Sequence, residues 1–430
     1  MSAVATSDRA EATSPPAWRS IAFVVAIAYT WITLHPFGDL GAADALDLAS
    51  GTEFVGDVCL AALAAFCLFL VASSDVQGFR SLQTPAFMGL AGWMVLSCVT
   101  SQDISRSVMR LTICACIATL AATLPLLPRG RFHLAKLLTA GAAALLGLSY
   151  FGVVFNPQYA IHQASDVVEP ALAGDWRGVF SHKNDASVMF VMVFYIGIYI
   201  ARRGHDIAGV AIAVLSFVFV IFAAGKAANQ LWSPTLALSF VIARPGGDRW
   251  RKVVALTPLV ILSLFGIGSV IFAPIGAIVS ALPIDSTFTG RVDVWRFALS
   301  RFGDHPFLGH GFSAFWDTEA IRYGLDEATA WVALAAHAHN GYLDAAMSMG
   351  FVGLCLTLWA LVAQPLADIR TATRAGADPA LVLMLTQIWL FGVYISCFES
   401  FLFDRTNPIW FTFLFAVFGL RYVASFRSRP

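Results

Sequence analysis

The class of fold follows from one apolar stretch, Val253-Val-Ala-Leu-Thr-Pro-Leu-Val-Ile-Leu-Ser-Leu-Phe-Gly-Ile-Gly-Ser-Val-Ile-Phe272. It carries no charged side chain, and about 20 apolar residues are what a helix needs to span the hydrocarbon core of a bilayer. Strands of a membrane barrel would instead alternate apolar and polar residues, which this stretch does not do. The stretch therefore predicts a transmembrane helix.

Comparable segments occur on both sides of this stretch, so we predict an all-α polytopic membrane protein with about twelve transmembrane helices. Of the 430 residues, 58% are hydrophobic and 13% are charged, whereas soluble domains are nearer half apolar and a quarter charged. No internal repeat is visible, and Pro234 interrupts the short eighth span. The predicted spans are 20–36, 53–73, 84–100, 107–127, 136–155, 185–201, 207–224, 229–243, 252–274, 343–364, 380–397 and 408–425.

The charges predict the orientation of the chain. Lys+Arg and Asp+Glu both number 27, so the formal net charge is zero and a nucleic-acid partner is disfavoured. With the N-terminus inside, the inner face receives seventeen of the basic residues and the outer face ten, as the positive-inside rule requires. We therefore predict a multi-pass protein of the inner (cytoplasmic) membrane with both termini cytoplasmic.

Two outer loops are too long to be simple connections, since loops beyond about 12–15 residues usually have a function. The predicted organisation is a disordered cytoplasmic tail (1–19), spans one to nine (20–274) with an outer loop at 156–184, a large outer loop (275–342), and spans ten to twelve with the C-terminus (343–430). All seven cysteines lie in apolar segments without disulfide or zinc spacing, so no metal site is predicted.

Two polar clusters on the outer face precede the large loop. The first is Asp175-Trp-Arg-Gly-Val-Phe-Ser-His-Lys-Asn-Asp185, and the second centres on Lys226. Cations at a helix entrance either bind an anionic group such as a diphosphate or anchor the helix at the interface by snorkelling. Asn184 or Asp185 could cap the sixth span.

Two further clusters lie in or beside the large loop. Arg291 opens a predicted amphipathic surface helix, 291–302, and Gly309 and Gly311 indicate a tight backbone passage. His337 and His339 do not share a helix face at this spacing, so they make a poor metal pair unless the segment is extended. A single histidine is a natural general base near pH 7.

Two roles stay open in this region. Asp344 either orients a neighbouring histidine or compensates the charge of the helix N-terminus. The loop aromatics Trp295, Phe312, Phe315 and Trp316 either bind sugar or lipid, or form a small core of the loop itself, which we favour.

The motifs of these clusters resemble the O-antigen ligase/polymerase superfamily. They are Arg177-Gly-Val-Phe-Ser-His-Lys-Asn184, Gly290-Arg-Val-Asp-Val-Trp295, His305-Pro-Phe-Leu-Gly-His-Gly311 and His339-Asn-Gly-Tyr-Leu343. The resemblance implies a GT-C-like fold of a bacterial inner-membrane protein. It also implies a periplasmic active site and metal-independent transfer, without a cofactor, of a glycan from undecaprenyl diphosphate.

The resemblance also implies roles for particular residues. His339 would be the general base, with His337 as the alternative, and Arg291 would bind the diphosphate. Lys226 stands where the family usually has Ser-Arg or Ser-Lys, although its neighbours here are Gly225 and Ala227. The residues expected to bind the diphosphate or the substrate are Lys226, Arg177, His182, Lys183, Asn184, Asn340, Tyr342 and Glu399.

Three functions remain open at this point. The favoured one is a polymerase of lipid-linked repeat units for exopolysaccharide, capsule or O-antigen, because Arg177–Asn184 and the segment 397–410 look more like exopolysaccharide polymerases. The second is an O-antigen ligase, which uses lipid A–core as acceptor. The third is a transporter or flippase, although the polar clusters sit at one face rather than at the midplane. Implied partners are undecaprenyl-diphosphate-linked donor and acceptor, the lipid bilayer, and a flippase and chain-length regulator of the same pathway.

Overall fold

A computed structural model describes residues 17–32, 36–40, 49–74, 76–167, 169–283, 285–316, 337–404 and 407–426. Most of the tail predicted to be disordered lies outside these residues. Its last three residues are helical, since the first helix begins at Ala17 rather than after residue 19.

The described residues form helices without a β-sheet. Each of the twelve predicted spans coincides with a helix, and eight helical stretches are long and apolar enough to cross a membrane, which confirms the all-α polytopic class. The helices of nine residues or more are α1 (Ala17–Trp31), α2 (Ala49–Ala72), α3 (Pro85–Val99), α4 (Ile104–Thr123), α5 (Arg131–Phe155), α6 (Lys183–Ala201), α7 (Asp206–Ala223), α8 (Lys226–Ile242), α9 (Asp248–Phe265), α10 (Ala273–Ala281), α11 (Arg291–Phe302), α12 (Gly341–Leu358), α13 (Gln364–Arg374), α14 (Pro379–Ile395) and α15 (Pro408–Ser425).

Local sequence sets several helix starts. Thr84, Asp378 and Asn407 each precede a proline, and each side chain accepts hydrogen bonds from backbone N–H groups of the first turn. Proline suits the first helical position because its missing N–H would have no partner there, and the polar side chain satisfies the N–H groups that follow.

Helices α6, α14 and α15 form the centre of the bundle. In α6 and α15 the apolar windows are 72% and 78% buried within the protein, against 22% for the window in 248–271. Much of the apolar surface of α9 is not covered by other helices of the protein, so it is available to lipid.

Glycines allow α6 and α7 to approach closely. A Cβ on Gly209 would lie 2.2 Å from the backbone nitrogen of Ala201, and one on Gly197 would lie 2.7 Å from that of Ala213. Small residues at such crossings let helix backbones come together, which is a main source of helix association in membranes.

Two helices differ from the predicted spans. Helix α8 begins at Lys226, three residues before the predicted start, and keeps Pro234 inside it. The tenth span continues through a π-helical turn (Trp359–Ala363) into α13, ten residues beyond its predicted end. The buried Trp389 side chain donates to the Leu361 carbonyl in this turn, at 2.8 Å.

Ion pairs connect residues that the sequence assigns to one face of the membrane. At the predicted inner end, Asp378 pairs with Arg131 and Arg203, and Asp248 pairs with Arg370 and Arg374. These ion pairs join residues from different predicted inner loops, which is consistent with their sharing one face.

The tight backbone passage predicted at Gly309 and Gly311 is confirmed. Gly309 has φ +73° and Gly350 has φ +69°. A Cβ on Gly309 would lie 2.5 Å from the backbone nitrogen of Gly350, and a Cβ on Gly350 would lie 2.2 Å from the backbone of Phe307. Helix α12 is kinked at Gly350, and the loop docks there, with Phe351 N donating to Pro306 O at 2.8 Å.

The predicted amphipathic helix is α11, and its apolar stripe faces protein. Val294, Trp295 and Ala298 are buried, and they pack against residues of α12 such as Met347. Protein, and not lipid, therefore covers this stripe. Phe315 and Trp316 belong to the same small cluster, which confirms the favoured interpretation of these loop aromatics, while Phe312 packs into the main core.

Candidate active site

The backbone between the two candidate histidines is held from two sides. Trp295 Nε1 donates to the Ala338 carbonyl at 2.8 Å, and the Ala338 N–H donates to Asp344 Oδ1 at 3.0 Å. Asp344 also accepts a 2.6 Å hydrogen bond from Trp316 Nε1. In the described residues, Asp344 thus orients this backbone and not an imidazole, which corrects the first of its two expected roles.

Asn340 fixes the start of α12. Its side-chain oxygen accepts from the N–H groups of Tyr342 and Leu343, both at 3.1 Å. Its Nδ2 donates to Cys397 O at 3.1 Å, and its own N–H donates to Ser400 Oγ at 2.9 Å. This buried cap therefore joins the helix start to the loop that follows α14.

That junction brings three of the predicted residues into one cluster. Arg291 Nη2 lies 2.9 Å from Glu399 Oε1, and His339 Nδ1 lies 3.8 Å from Glu399 Oε2. Arg291 Nη1 also donates to the Phe398 carbonyl. Glu399 therefore stands between the candidate base and the candidate diphosphate-binding arginine.

The orientation of His339 suits proton transfer. Its backbone has φ +49°, a left-handed conformation that few non-glycine residues adopt and that is often associated with functional sites. Its Nδ1 is buried, while 36% of the side chain is exposed. Nε2 is consequently the nitrogen available to a substrate, and Nδ1 faces the carboxylate.

The charges of this cluster are set by its neighbours. Burial alone would raise the pKa of Glu399, but Arg291 and His339 outweigh burial and lower this pKa to about 2. Burial, with the nearby charges of His339 and Arg291, lowers the pKa of His337 to about 3. Near pH 7, Glu399 is therefore ionised and His337 is neutral.

His337 supports its neighbour. Its Nδ1 accepts from the backbone N–H of His339 at 3.3 Å, and the two rings meet edge to face with centroids 4.3 Å apart. The segment is not helical at this point, and the left-handed backbone of His339 accompanies the close approach of the two rings.

A second cluster of titratable side chains lies in the predicted outer loop before α6. His182 Nε2 is 2.7 Å from Glu169 Oε2, and His162 Nδ1 is 2.8 Å from Asp166 Oδ2. Burial opposes charge on His182, but the bond to Glu169 and the negative charges of Glu169, Asp185 and Glu399 together outweigh burial and raise the pKa of His182. The charge of His339 contributes to lowering the pKa of Glu169, so the two groups lie near each other.

The cap of α6 corrects one prediction. The capping residue is His182, whose Nδ1 accepts from the N–H of Asn184 at 3.1 Å, and not Asn184 or Asp185. The helix begins at Lys183, so Asn184 and Asp185 lie within its first turn.

The remaining predicted residues stand outside the His339 cluster. Arg177 is buried, and its guanidinium donates to the carbonyls of Phe180 and Gly38 at 3.1 and 2.6 Å. Lys183 Nζ is paired with Asp175 Oδ2 at 2.6 Å. The Tyr342 hydroxyl donates to a backbone carbonyl of α14 at 2.8 Å.

Lys226 has a different setting. It is exposed at the first turn of α8. The pKa of Asp285 is lowered mainly by hydrogen bonds from Thr287 and Thr289, and the charge of Lys226 makes a smaller contribution in the same direction. Asp285 begins the turn that leads into Arg291. Lys226 therefore lies beside the loop that carries Arg291.

Sequence reasoning missed the support around His339. The hydrogen bonds of Trp295 and Asp344 to Ala338 join positions far apart in the chain, and no local pattern indicates them. The resemblance suggested Glu399 as a substrate-binding residue, whereas its contacts here are with Arg291 and His339.

The fold and the cluster together define a multi-pass membrane protein with a histidine–glutamate–arginine site at one end of its helix bundle. Residues 185–358 match a family model described as O-Antigen ligase. This match includes Lys226, Arg291, His337 and His339 but ends before Glu399.

A curated relative gives a second comparison. The chain is 25% identical over 146 residues to the "Exopolysaccharide production protein ExoQ" of Rhizobium meliloti (strain 1021). The similar region covers 33% of this chain and 32% of that protein, so the match spans about a third of the relative's length. Both comparisons confirm the resemblance to the O-antigen ligase/polymerase superfamily that the motifs indicate.

Proposed function

We propose that this protein is a glycosyltransferase that polymerises lipid-linked oligosaccharide repeat units on the periplasmic face of the inner membrane. It transfers the glycan from undecaprenyl diphosphate to a sugar hydroxyl of another lipid-linked unit. The observation that carries the proposal is His339, with Nε2 exposed and Nδ1 facing the ionised Glu399. The family match and the similarity to an exopolysaccharide production protein support the class of reaction.

In this proposal His339 is the general base. Nε2 accepts the proton of the attacking sugar hydroxyl, the hydroxyl oxygen bonds to the anomeric carbon, and the bond from that carbon to the diphosphate oxygen breaks. Glu399 stabilises the imidazolium that forms, as a carboxylate does behind a catalytic histidine.

The departing diphosphate takes the electron pair and needs cations. Arg291 uses two of its five N–H donors on Phe398 and Glu399, which leaves others for phosphate oxygens. Lys226, exposed at the start of α8, is the next candidate by position. No step of this scheme requires a metal ion.

The test uses the full chain in proteoliposomes with a diphosphate-linked oligosaccharide. We expect His339→Ala to abolish the product ladder while membrane abundance stays normal, and Arg291→Lys to fail because an ammonium cannot reproduce the guanidinium fork. His205→Ala is the matched control, since His205 precedes α7 at the predicted inner face. Full-length polymer from His339→Ala would refute the assignment.

The second candidate is an O-antigen ligase, which the description of the matching family favours. A deletion strain separates the two: loss of secreted polymer with intact lipopolysaccharide supports a polymerase. Lipopolysaccharide without O-chains, with free polymer retained, supports a ligase. Translocation of lipid-linked sugar without new glycosidic bonds would instead indicate a transporter.

A further inference from the structure

A groove of about 650 Å³ opens between the first half of α9 and the segment 358–370. Leu256, Leu259 and Val362 form much of its apolar wall. Helix α12 starts beside His339 and reaches the groove only at Leu358, roughly 25 Å along the helix. The groove is therefore separate from the candidate active site.

The mouth of the groove is basic. Asp248 is shared by Arg251, Arg370 and Arg374, at 3.3, 3.4 and 2.8 Å. Lys252 also lines the groove and is exposed, and among the described residues no carboxylate pairs with it. Of the residues that line the groove, three cations (Arg251, Lys252 and Arg370) stand against one carboxylate, which leaves a formal excess of two positive charges.

The wall of the groove contains two features typical of a lipid site at a membrane interface. Trp359 lines it and is 46% exposed, and tryptophan is enriched at the headgroup level. The same wall is the π-helical turn Trp359–Ala363, and such turns are frequent at functional sites.

We propose that this groove binds an anionic glycerophospholipid, with its phosphate at Lys252 and Arg370 and its acyl chains on Leu256, Leu259 and Val362. The site fits both parts of such a lipid, because the mouth carries excess positive charge that suits the anionic headgroup and the walls are apolar, which suits the acyl chains. Basic pockets between helices on the cytoplasmic side are suited to anionic headgroups. This proposal does not depend on the activity proposed above.

The first test compares lipids on the purified full chain by native mass spectrometry. We expect Lys252→Ala/Arg370→Ala to bind phosphatidylglycerol about thirty-fold more weakly, given the usual contribution of each basic residue near an anionic lipid. Binding of phosphatidylcholine should not change. The matched control is Arg80→Ala/Lys136→Ala, two exposed cations of the same predicted face outside the groove. Equal affinity for phosphatidylglycerol in both double variants overturns the proposal.

The second test separates a lipid from a free phosphate. Leu256→Trp, at a partly buried position, should fill the groove and weaken phosphatidylglycerol binding while the cations remain. If this variant binds normally and inorganic phosphate displaces the lipid, the site recognises phosphate alone and the proposal fails. In the wild-type protein, hydrogen exchange at 248–256 and 359–370 should be slower in phosphatidylglycerol nanodiscs than in phosphatidylcholine nanodiscs. Equal exchange would also overturn it.

Discussion

Glu399→Gln removes one charge from the candidate active site and leaves its shape. The amide oxygen can still accept from Arg291 Nη2, which lies 2.9 Å from Glu399 Oε1 in the wild-type protein. What disappears is the attraction between the carboxylate and the imidazolium that forms on His339 during the reaction.

The size of that attraction follows from the distance of 3.8 Å between His339 Nδ1 and Glu399 Oε2. Coulomb's law gives about 1 kcal/mol in water and about 4 kcal/mol at the effective dielectric constant of a protein interior. Glu399 is 14% exposed, which places it nearer the second value. Since about 1.4 kcal/mol is tenfold in rate, we expect kcat to fall by a factor on the order of 10² to 10³.

The assay is the initial rate of glycan transfer in proteoliposomes, with KM measured in parallel. The drop should appear in kcat, because the imidazolium is absent from the ground state. Asp293→Asn is the matched control, since this exposed carboxylate of α11 pairs only with Arg296 among the described residues. A full rate for Glu399→Gln would refute the role given to the carboxylate.

Three further predictions concern structure. Asn340→Ala should lower the free energy of unfolding by at least about 1 kcal/mol through loss of the helix cap, whereas Asn340→Ser, which keeps a capping oxygen without a buried charge, should lose less in the same denaturation assay. Gly209→Ala should lower Tm because its Cβ would meet backbone at 2.2 Å, whereas Gly147→Ala, with open space around it, should not. The pKa of His182 is raised in the folded protein, so its bond to Glu169 stabilises the fold fully below pH 6.5. This stabilisation decreases as the pH rises through the folded-state pKa. Above pH 6.5, Tm should therefore fall with pH more steeply in the wild type than in Glu169→Gln.

The helices could be predicted from the sequence because apolar length alone dictates a membrane span. Their ends could not, because they depend on partners elsewhere in the chain. Helix α8 starts at Lys226, before its apolar run begins. The tenth span runs on to Arg374 because a π-helical turn, held by Trp389, takes the place of a helix end.

The site was predictable in part for a similar reason. The motifs single out Arg291, His337 and His339 within one stretch of the chain. Glu399 joins them only because the cap at Asn340 draws the loop after α14 against the start of α12. The capping role of His182 was also hidden, since aspartate and asparagine cap helices more often than histidine does.

Asp344 has a consequence for engineering the large loop. It accepts hydrogen bonds from Trp316 at 2.6 Å and from Ala338 at 3.0 Å, so one carboxylate closes a ring in the chain from 316 to 338. The entropy lost on closing a loop grows only slowly with loop length. A short linker could therefore replace residues 317–336 while Trp316 and Ala338 keep their hydrogen bonds to Asp344. Changes in that segment should then leave the position of His339 unaltered, because Asp344 still anchors Trp316 and Ala338.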